Sequence, residues 1–297
     1  MEAEHRPEQE PLHSRTMTAS LSTGPTHQMS DEPVWRNVIR HDVVADLLRM
    51  GVLPIVLEGF PELPTEVEGL LVYGSQARGD AVPGSDLDLL GLVTAPRPST
   101  RSGDVNVSYY TSEQLSTGIG TLFGAHLKRD AKVVWDNQGH LSRAVKSMGQ
   151  VDTDRLLARA LTMSELFMSP ERDLPKYLPG LLREARYLLR SCLYAQAIAD
   201  GDPCFSVREL AVRHGDPNLA RLLASRQQDE ATAADFEECL SRLRGIVGEF
   251  PPSEHGSLEA TVVNKWEQPG DVLSMAFMAL DFDRNFSDYA EVEKILL

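Results

Sequence analysis

The chain has 297 residues, 42% of them hydrophobic and 25% charged, which is enough to build one large or two modest domains. Its formal net charge of −15 argues against an extended nucleic-acid-binding surface. No apolar run reaches membrane-spanning length, and the start lacks the basic-then-apolar order of a secretory leader. The three cysteines show no CxxC spacing, which favours free thiols and a cytoplasmic location.

The beginning of the chain changes character near residue 30. Residues 1–30 are rich in Glu, Pro, His, Ser and Thr and have few large apolar residues, so we predict a disordered tail. Apolar residues then recur at helical spacing and predict a helix over about 33–50. They are Trp35, Val38, Ile39, Val43, Leu47 and Leu48.

The next hundred residues alternate between strand and helix patterns. Short β-branched and apolar runs predict strands at 69–73, 87–93, 105–110 and 132–135. Helical patterns follow Ser75 and recur at 112–119, 122–129 and 141–148. Together they predict a small mixed β-sheet with flanking helices, which we assign to a domain at residues 31–150.

Strand patterns fade after residue 149. Helices are predicted at 152–168, 176–200, 206–214, 217–227, 232–248, 271–280 and 287–296. The expected fold class is therefore α+β, with an all-α helical bundle at residues 151–297 after the sheet domain. This second part carries 16 Lys and Arg against 25 Asp and Glu. That acidity favours either the binding of a cationic molecule or simple solubility.

A group of polar residues lies between the first two predicted strands. An apolar run ends at Gly74 and Ser75, and a second one opens with Asp86, Leu87 and Asp88. Side chains alternate along a strand, so the two acids point the same way, about 6.6 Å apart. Two such carboxylates repel each other unless a cation lies between them, and hard oxygen ligands suit Mg²⁺ or Mn²⁺. A Gly-Ser turn before a short helix offers free N–H groups and a hydroxyl to phosphate.

This ordered set resembles the signature of nucleotidyltransferases of the DNA polymerase beta superfamily. The matching residues are Gly74, Ser75, Arg78, Gly79, Ser85, Asp86 and Asp88. The resemblance implies transfer of a nucleoside monophosphate from a nucleoside triphosphate (NTP), such as ATP, to a hydroxyl acceptor with release of pyrophosphate. It also implies that Asp86 and Asp88 are catalytic and bind Mg²⁺ or Mn²⁺, the expected cofactor.

The same resemblance suggests which residues bind the nucleotide. They are Gly74, Ser75, Arg78 and Ser85. Lys128, a basic residue of the helix predicted at 122–129, is a further candidate for binding the nucleotide phosphates. For Arg78 the alternative is an ion pair with Asp80. His126, two residues before Lys128, either shuttles a proton or is a structural helix histidine.

The third acid of the family pattern has no clear counterpart here. Relatives place an acid on the next strand, and counting back from Glu113 puts Ser108 at or near that position. Asp104, Asn106 and Ser108 share one face of this strand. Asp104 is therefore the candidate third catalytic acid if the register is shifted. Otherwise the site works with two acids, or catalysis is lost.

The layout resembles kanamycin-type nucleotidyltransferases. The helical half also loosely resembles the helical HEPN proteins that pair with minimal nucleotidyltransferases. Two functions follow as hypotheses. The first is a metal-dependent enzyme whose acceptor is a small molecule, a protein or a tRNA. The second is a catalytically weak or inactive, antitoxin-like or regulatory partner of another protein, which the missing third acid favours.

Overall fold

The protein is described by a computed structural model that covers residues 34–223, 230–267 and 270–280. The predicted tail at 1–30 and the predicted helix at 287–296 lie outside the described residues, as does the end of the helix predicted at 217–227. None of the helices in the described ranges is long and apolar enough to cross a membrane.

A five-stranded mixed sheet forms the first part of the fold. Its strands are β1 (Val67–Tyr73), β2 (Leu87–Val93), β3 (Thr100–Ser102), β4 (Val105–Tyr110) and β5 (Lys132–Asp136). The spatial order is β3-β4-β2-β1-β5. The β2 and β4 strands are parallel, and every other neighbouring pair is antiparallel. The two strands in the middle of the order, β2 and β1, are almost continuously apolar because both of their faces are covered.

Helices cover both faces of this sheet. They are α1 (Val34–Arg49), α2 (Pro54–Leu57), α3 (Gly74–Arg78), α4 (Ser112–Ser116), α5 (Leu122–Asp130) and α6 (His140–Ser147). On one face Val43 and Leu47 of α1 pack with Leu70 and Leu89. The opposite face, with Leu71, Leu90 and Leu92, packs against residues from α4, α5 and α6, namely Leu115, Leu127 and Leu141.

The second part, from residue 153, contains helices and connecting loops but no strand among its described residues. Its α-helices are α7 (Thr153–Met163), α8 (Pro170–Ala199), α9 (Val207–Arg213), α10 (Pro217–Leu223), α11 (Ala233–Val247), α12 (Leu258–Lys265) and α13 (Asp271–Leu280), with a 3₁₀ turn at Ser164–Phe167. The long α8 is kinked at Tyr177, where Pro175 and Pro179 interrupt the helical bonding. We call residues 34–148 the sheet region and residues 153–280 the helical region.

Helix α5 joins the two regions because it belongs to both cores. Its Leu122 packs in the core of the helical region, whereas its Leu127 packs under the sheet. Between them, the His126 ring stacks on Phe205 of the helical region at 5.1 Å. This contact places the helical region beside the end of the sheet at which β1 ends and β2 begins.

The α+β fold class, with a mixed sheet followed by helices, is confirmed. All four predicted strands are present, and β1 begins two residues earlier than predicted. The sequence analysis missed α2, β3 and α12, which are short elements of three to eight residues. It also began α8 at residue 176, where the chain instead continues through the kink from Pro170. The division into domains at residues 30 and 150 stays a prediction.

Candidate active site

Asp86 and Asp88 lie at the start of β2, at the end of the sheet. Alternation along the strand directs both acids to the face that also carries Leu90 and Leu92. Asp88 is partly buried, and burial raises the pKa of its carboxyl above the ordinary range. Its hydrogen bond from Asn106 lowers this pKa, and the nearby Asp86 charge raises it again. The acid pair is therefore a site of concentrated negative charge.

Asn106 is the residue that lies opposite Asp88. In the parallel register of β2 and β4, Asp88 pairs with Asn106. The Asn106 Nδ2 atom lies 3.3 Å from Asp88 Oδ1 and 3.4 Å from Asp86 Oδ2, so one amide group bridges the two acids. The Asn106 Oδ1 atom is buried and has no hydrogen-bond partner among the described residues. The guanidinium of Arg101 lies 3.8 Å from Asp86 Oδ1 and adds one positive charge.

Gly74 and Ser75 lie directly beside the acid pair. Tyr73 pairs with Asp88 across β1 and β2, and the chain then turns into α3. Gly74 has φ +73°, and a Cβ atom added there would lie 3.0 Å from Asp88 Oδ2. Glycine is therefore required both by the backbone angle and by the carboxylate. Ser75 is half-buried, and its hydroxyl makes no hydrogen bond within the described ranges.

Ser85 closes the turn that leads into β2. Its N–H donates to the Val82 carbonyl at 2.8 Å, and its hydroxyl accepts from the Val82 N–H at 2.9 Å. Pro83 and Gly84, the latter at φ +81°, occupy the two central positions that a type II turn favours. Ser85 therefore shapes the approach of the chain to Asp86.

Arg78 forms a polar cluster with residues of α5 and of the loop before β2. Its guanidinium lies 3.3 Å from Asp80, 3.6 Å from Asp130 and 3.1 Å from His126 Nε2. The side chain is 16% exposed. The predicted alternative for Arg78, an ion pair with Asp80, is therefore present. The Arg78 charge also lowers the pKa of the Asp88 carboxyl.

His126 is held in the same cluster as a neutral base. Burial, followed by the charges of Arg78, Arg129 and Arg190, lowers its pKa from 6.5 to about 3. Its ring also meets that of Tyr73 at 6.1 Å. The ring is therefore neutral near pH 7, and its contacts with Arg78, Tyr73 and Phe205 favour a structural role.

The remaining predicted residues lie farther from the acid pair. The count back from Glu113 pointed to Ser108, which is buried one step deeper in the sheet, opposite Leu90. Asp104 lies exposed before β4, where its carbonyl accepts from the Leu87 N–H at 2.7 Å. The Lys128 ammonium donates to the Met148 carbonyl at 2.6 Å.

From the sequence, Asn106 could orient an acceptor but could not remove its proton, and the count back from Glu113 pointed to Ser108 instead. The strand pattern alone offered a better signal. If β2 and β4 are aligned at their first apolar residues, Leu87 and Val105, then Asn106 falls opposite Asp88, as it does in the structure.

The donor atoms of this site fit a divalent cation. Two carboxylates on one face are hard oxygen ligands of the kind that Mg²⁺ and Mn²⁺ prefer. Burial and the charge of Asp86 both disfavour the ionised form of Asp88, and a cation would offset this effect. In the part of the chain that the structure describes, no group of three or more His, Cys, Asp or Glu residues is arranged to hold a metal. Asp104 therefore does not complete a three-acid cluster with Asp86 and Asp88.

Comparison with known proteins agrees with this geometry. Residues 53–138 match a family model described as a nucleotidyltransferase domain. The match begins just before α2 and ends just after β5, so it includes the acid pair, the Gly-Ser turn and four flanking helices. No curated protein matches the chain. Residues 53–138 therefore form a nucleotidyltransferase domain of the kind found in the DNA polymerase beta superfamily.

Proposed function

We propose that this protein transfers a nucleoside monophosphate from an NTP to a hydroxyl group of an acceptor and releases pyrophosphate. The domain supports nucleotidyl transfer in general. The observation that carries the specific proposal is the placement of Asp86 and Asp88 on one face, beside the turn at Gly74 and Ser75. Reactions of this type need positioning and charge neutralisation more than covalent help from the protein.

In this proposal Asp86 and Asp88 hold Mg²⁺ or Mn²⁺. Such a cation, when bound, would neutralise phosphate charge and lower the pKa of the attacking hydroxyl. The two acids would also orient the acceptor. The acceptor oxygen forms a bond to the α-phosphorus while the bond to the β-phosphate oxygen breaks.

Gly74 and Ser75 would receive the phosphates of the NTP. Gly74 has no side chain, so the triphosphate could approach Asp88 closely, and the unpaired Ser75 hydroxyl could donate a hydrogen bond. We keep Arg78, Ser85 and Lys128 in the proposal as nucleotide-binding residues. Their present contacts support an indirect contribution, in which they hold α3, the turn and α5 in place.

Asp104 stays our candidate for the third catalytic acid. It directly precedes β4, whose first residue, Val105, pairs with Leu87 of β2. Its side chain is exposed, so it could accept a proton from an acceptor that approaches from solvent. The acceptor itself is proposed only as a class: a small molecule, a protein or a tRNA that presents a hydroxyl.

The proposal is tested with labelled NTPs. The protein is incubated with each NTP, Mg²⁺ or Mn²⁺ and a cell extract, and the label is followed into RNA, protein or small metabolites. We expect Asp88→Asn to lower transfer by roughly a thousandfold, because lost cation stabilisation is worth several kcal/mol. Glu113→Gln, a comparable change at an exposed acid, should leave the rate unchanged. Equal rates in Asp88→Asn and the unmodified protein would refute the assignment.

The second candidate function is a regulatory or antitoxin-like partner with weak turnover. The observation that favours it is Asn106, a neutral amide that faces both acids where a third carboxylate would complete the set. Titration calorimetry with Mg²⁺ complexes of ATP, GTP, CTP and UTP separates the two functions. Binding of at least one NTP supports the enzyme, whereas absence of binding to all four supports the partner function.

A further inference from the structure

We propose that Asn106 is the third ligand of the cation site, and that it binds through its amide oxygen. The inference rests on the proposed function, because it concerns the cation that Asp86 and Asp88 would hold. It starts from the register: Asn106 lies opposite Asp88 on the neighbouring parallel strand, about 4.8 Å away. Its side chain shares the face of both acids, so a cation between them lies within its reach.

The hydrogen bonds of Asn106 are unbalanced. Its Nδ2 atom serves both carboxylates at 3.3 and 3.4 Å, beyond the usual range for N–H···O bonds. Its Oδ1 atom is buried without a partner within the described ranges. Hydrogen bonds within the described residues therefore fix neither orientation of the amide, since one end makes two long contacts and the other makes none.

A half-turn about the last bond of the Asn106 side chain exchanges the two ends of the carboxamide. The amide has nearly the same shape in both orientations. With Nδ2 toward the acids, the amide relieves their mutual repulsion. With Oδ1 toward the acids, the three residues present only oxygen atoms, and an amide oxygen is an accepted ligand of Mg²⁺ and Mn²⁺. Asn106 therefore acts as a donor without the cation and as a ligand with it.

The charge of the site follows from this assignment. Asp86, Asp88 and Asn106 together carry two negative charges, which match one divalent cation. A third carboxylate at this position would supply a third charge and would also remove the donor that holds the acids together. The protein therefore supplies charge for at most one divalent cation, since Arg101, 3.8 Å from Asp86, already offsets part of the two carboxylate charges. Any second cation would have to arrive with the phosphates of the NTP.

The experiment measures Mn²⁺ binding to the full chain without nucleotide, by electron paramagnetic resonance and calorimetry. We expect one Mn²⁺ per chain, and Asn106→Ala should weaken its affinity roughly 10- to 100-fold, as expected for loss of a direct ligand or its support. Asn106→Asp keeps an oxygen but cannot donate, so it should bind Mn²⁺ at least as tightly as the unmodified protein.

A charge control is needed because Asn106→Asp also adds a negative charge. Arg101→Gln changes the local charge by the same amount, 3.8 Å from Asp86, without adding a ligand. Two ratios of Mn²⁺ affinity are compared: Asn106→Asp to Asn106→Ala, and Arg101→Gln to the unmodified protein. The first ratio should be the larger. Thermal unfolding in EDTA checks that each variant is folded, and Asn106→Ser replaces Asn106→Ala if the latter is not.

Two results would overturn the inference while leaving the proposed function in place. In the first, Asp88→Asn abolishes Mn²⁺ binding but Asn106→Ala binds like the unmodified protein. In the second, Asn106→Asp loses affinity together with Asn106→Ala, which shows that only the N–H donor matters. If Asp88→Asn itself leaves Mn²⁺ binding unchanged, the acid pair is not the cation site and the cation role in the proposed function fails as well.

Discussion

Gly74 shows how a single residue shapes the site. Replacing it with alanine introduces both an unfavourable backbone angle and a Cβ atom 3.0 Å from Asp88 Oδ2. The angle alone costs about 1–2 kcal/mol of folding free energy. We expect Gly74→Ala to lose this stability and, because Asp88 must move, to lower nucleotidyl transfer roughly a hundredfold. Urea unfolding and the transfer assay measure the two effects.

Gly79 provides the matched control for Gly74. It has almost the same backbone angle, φ +79°, but an added Cβ atom meets nothing within 4 Å. Gly79→Ala should therefore lose a similar amount of stability with a much smaller loss of transfer. Equal losses of transfer in both variants would show that the contact with Asp88 is unimportant.

His126 predicts a pH dependence of stability. Its pKa is about 3 in the folded protein and 6.5 in the reference state. Between these values the unfolded chain binds one more proton than the folded chain, so stability falls as pH decreases. The loss begins near pH 6.5 and reaches at most about 1.4 kcal/mol per pH unit.

The measurement is the free energy of urea unfolding from about pH 7.5 down to about pH 5, above the ordinary range of Asp and Glu. The unmodified protein should lose stability across this range, and His126→Gln should lose less. The groups facing His126 are Arg78, Asp80, Arg129, Asp130 and Arg190, and both proteins contain them. Parallel curves for the two proteins would contradict the prediction.

At the scale of elements, Gly180 permits the close packing of α8 against α13. A Cβ atom at this position would lie 1.9 Å from the Ala279 carbonyl oxygen. Since backbone cannot yield as a flexible side chain does, Gly180→Ala should force the helices apart and cost about 1–3 kcal/mol. Urea unfolding gives the value directly.

Gly245 in α11 is the control for this change. It also lies inside a helix, but an added Cβ atom meets nothing within 4 Å. Gly245→Ala should therefore stabilise the protein by about 1 kcal/mol through helix propensity. The two substitutions are chemically identical, so a loss of stability in both would mean that helix packing does not explain the effect at Gly180.

Most elements could be predicted from local patterns, and the exceptions have physical causes. The strands β1, β2 and β4 carry dense apolar runs because most of their residues are buried. The β5 strand was predicted from its β-branched and aromatic residues, although none of its five residues is buried. The three residues of β3 carry no such run, since none of them is buried. The start of α8 was missed because Pro175 and Pro179 normally end a helix, whereas here they only kink it.

At the scale of the whole molecule, Ser206 connects the two regions. Its hydroxyl caps α9 by accepting from the Glu209 N–H at 3.4 Å, and it also donates to the Asp80 carboxylate in the loop before β2. Arg208 donates to the Asp80 carbonyl in the same loop. The helical region therefore holds the loop that leads to the acid pair.

Ser206→Ala should lower stability through both contacts. Loss of a cap costs about 1 kcal/mol, and loss of a hydrogen bond to a charged group costs about 1.5 kcal/mol more. We also expect weaker NTP binding, seen as a higher KM, because the loop at Asp80 is less constrained. Both quantities are measured on the full chain.

Ser257→Ala is the matched control, since Ser257 caps α12 by accepting from the Ala260 N–H at 3.2 Å. It should lose only the cap, with no change in KM. If Ser206→Ala costs no more stability than Ser257→Ala and leaves KM unchanged, then the contact with Asp80 does not couple the helical region to the site.

The sequence by itself determined the chemistry of the site's central residues. Asp86 and Asp88 share a face because alternation is a local property of an extended chain, and Gly74 and Ser75 form a turn because they directly follow the apolar run of β1. The family match over residues 53–138 agrees with this local signature.

Only the tertiary structure decided which residues meet these acids from elsewhere in the chain. Asn106 lies opposite Asp88 because of the register between β2 and β4, and a shift by two residues would have brought Asp104 or Ser108 there instead. Arg78 reaches His126 and Asp130 because α5 packs against α3 and the helical region. Strand register and helix packing depend on contacts between distant residues, so no local pattern contains them.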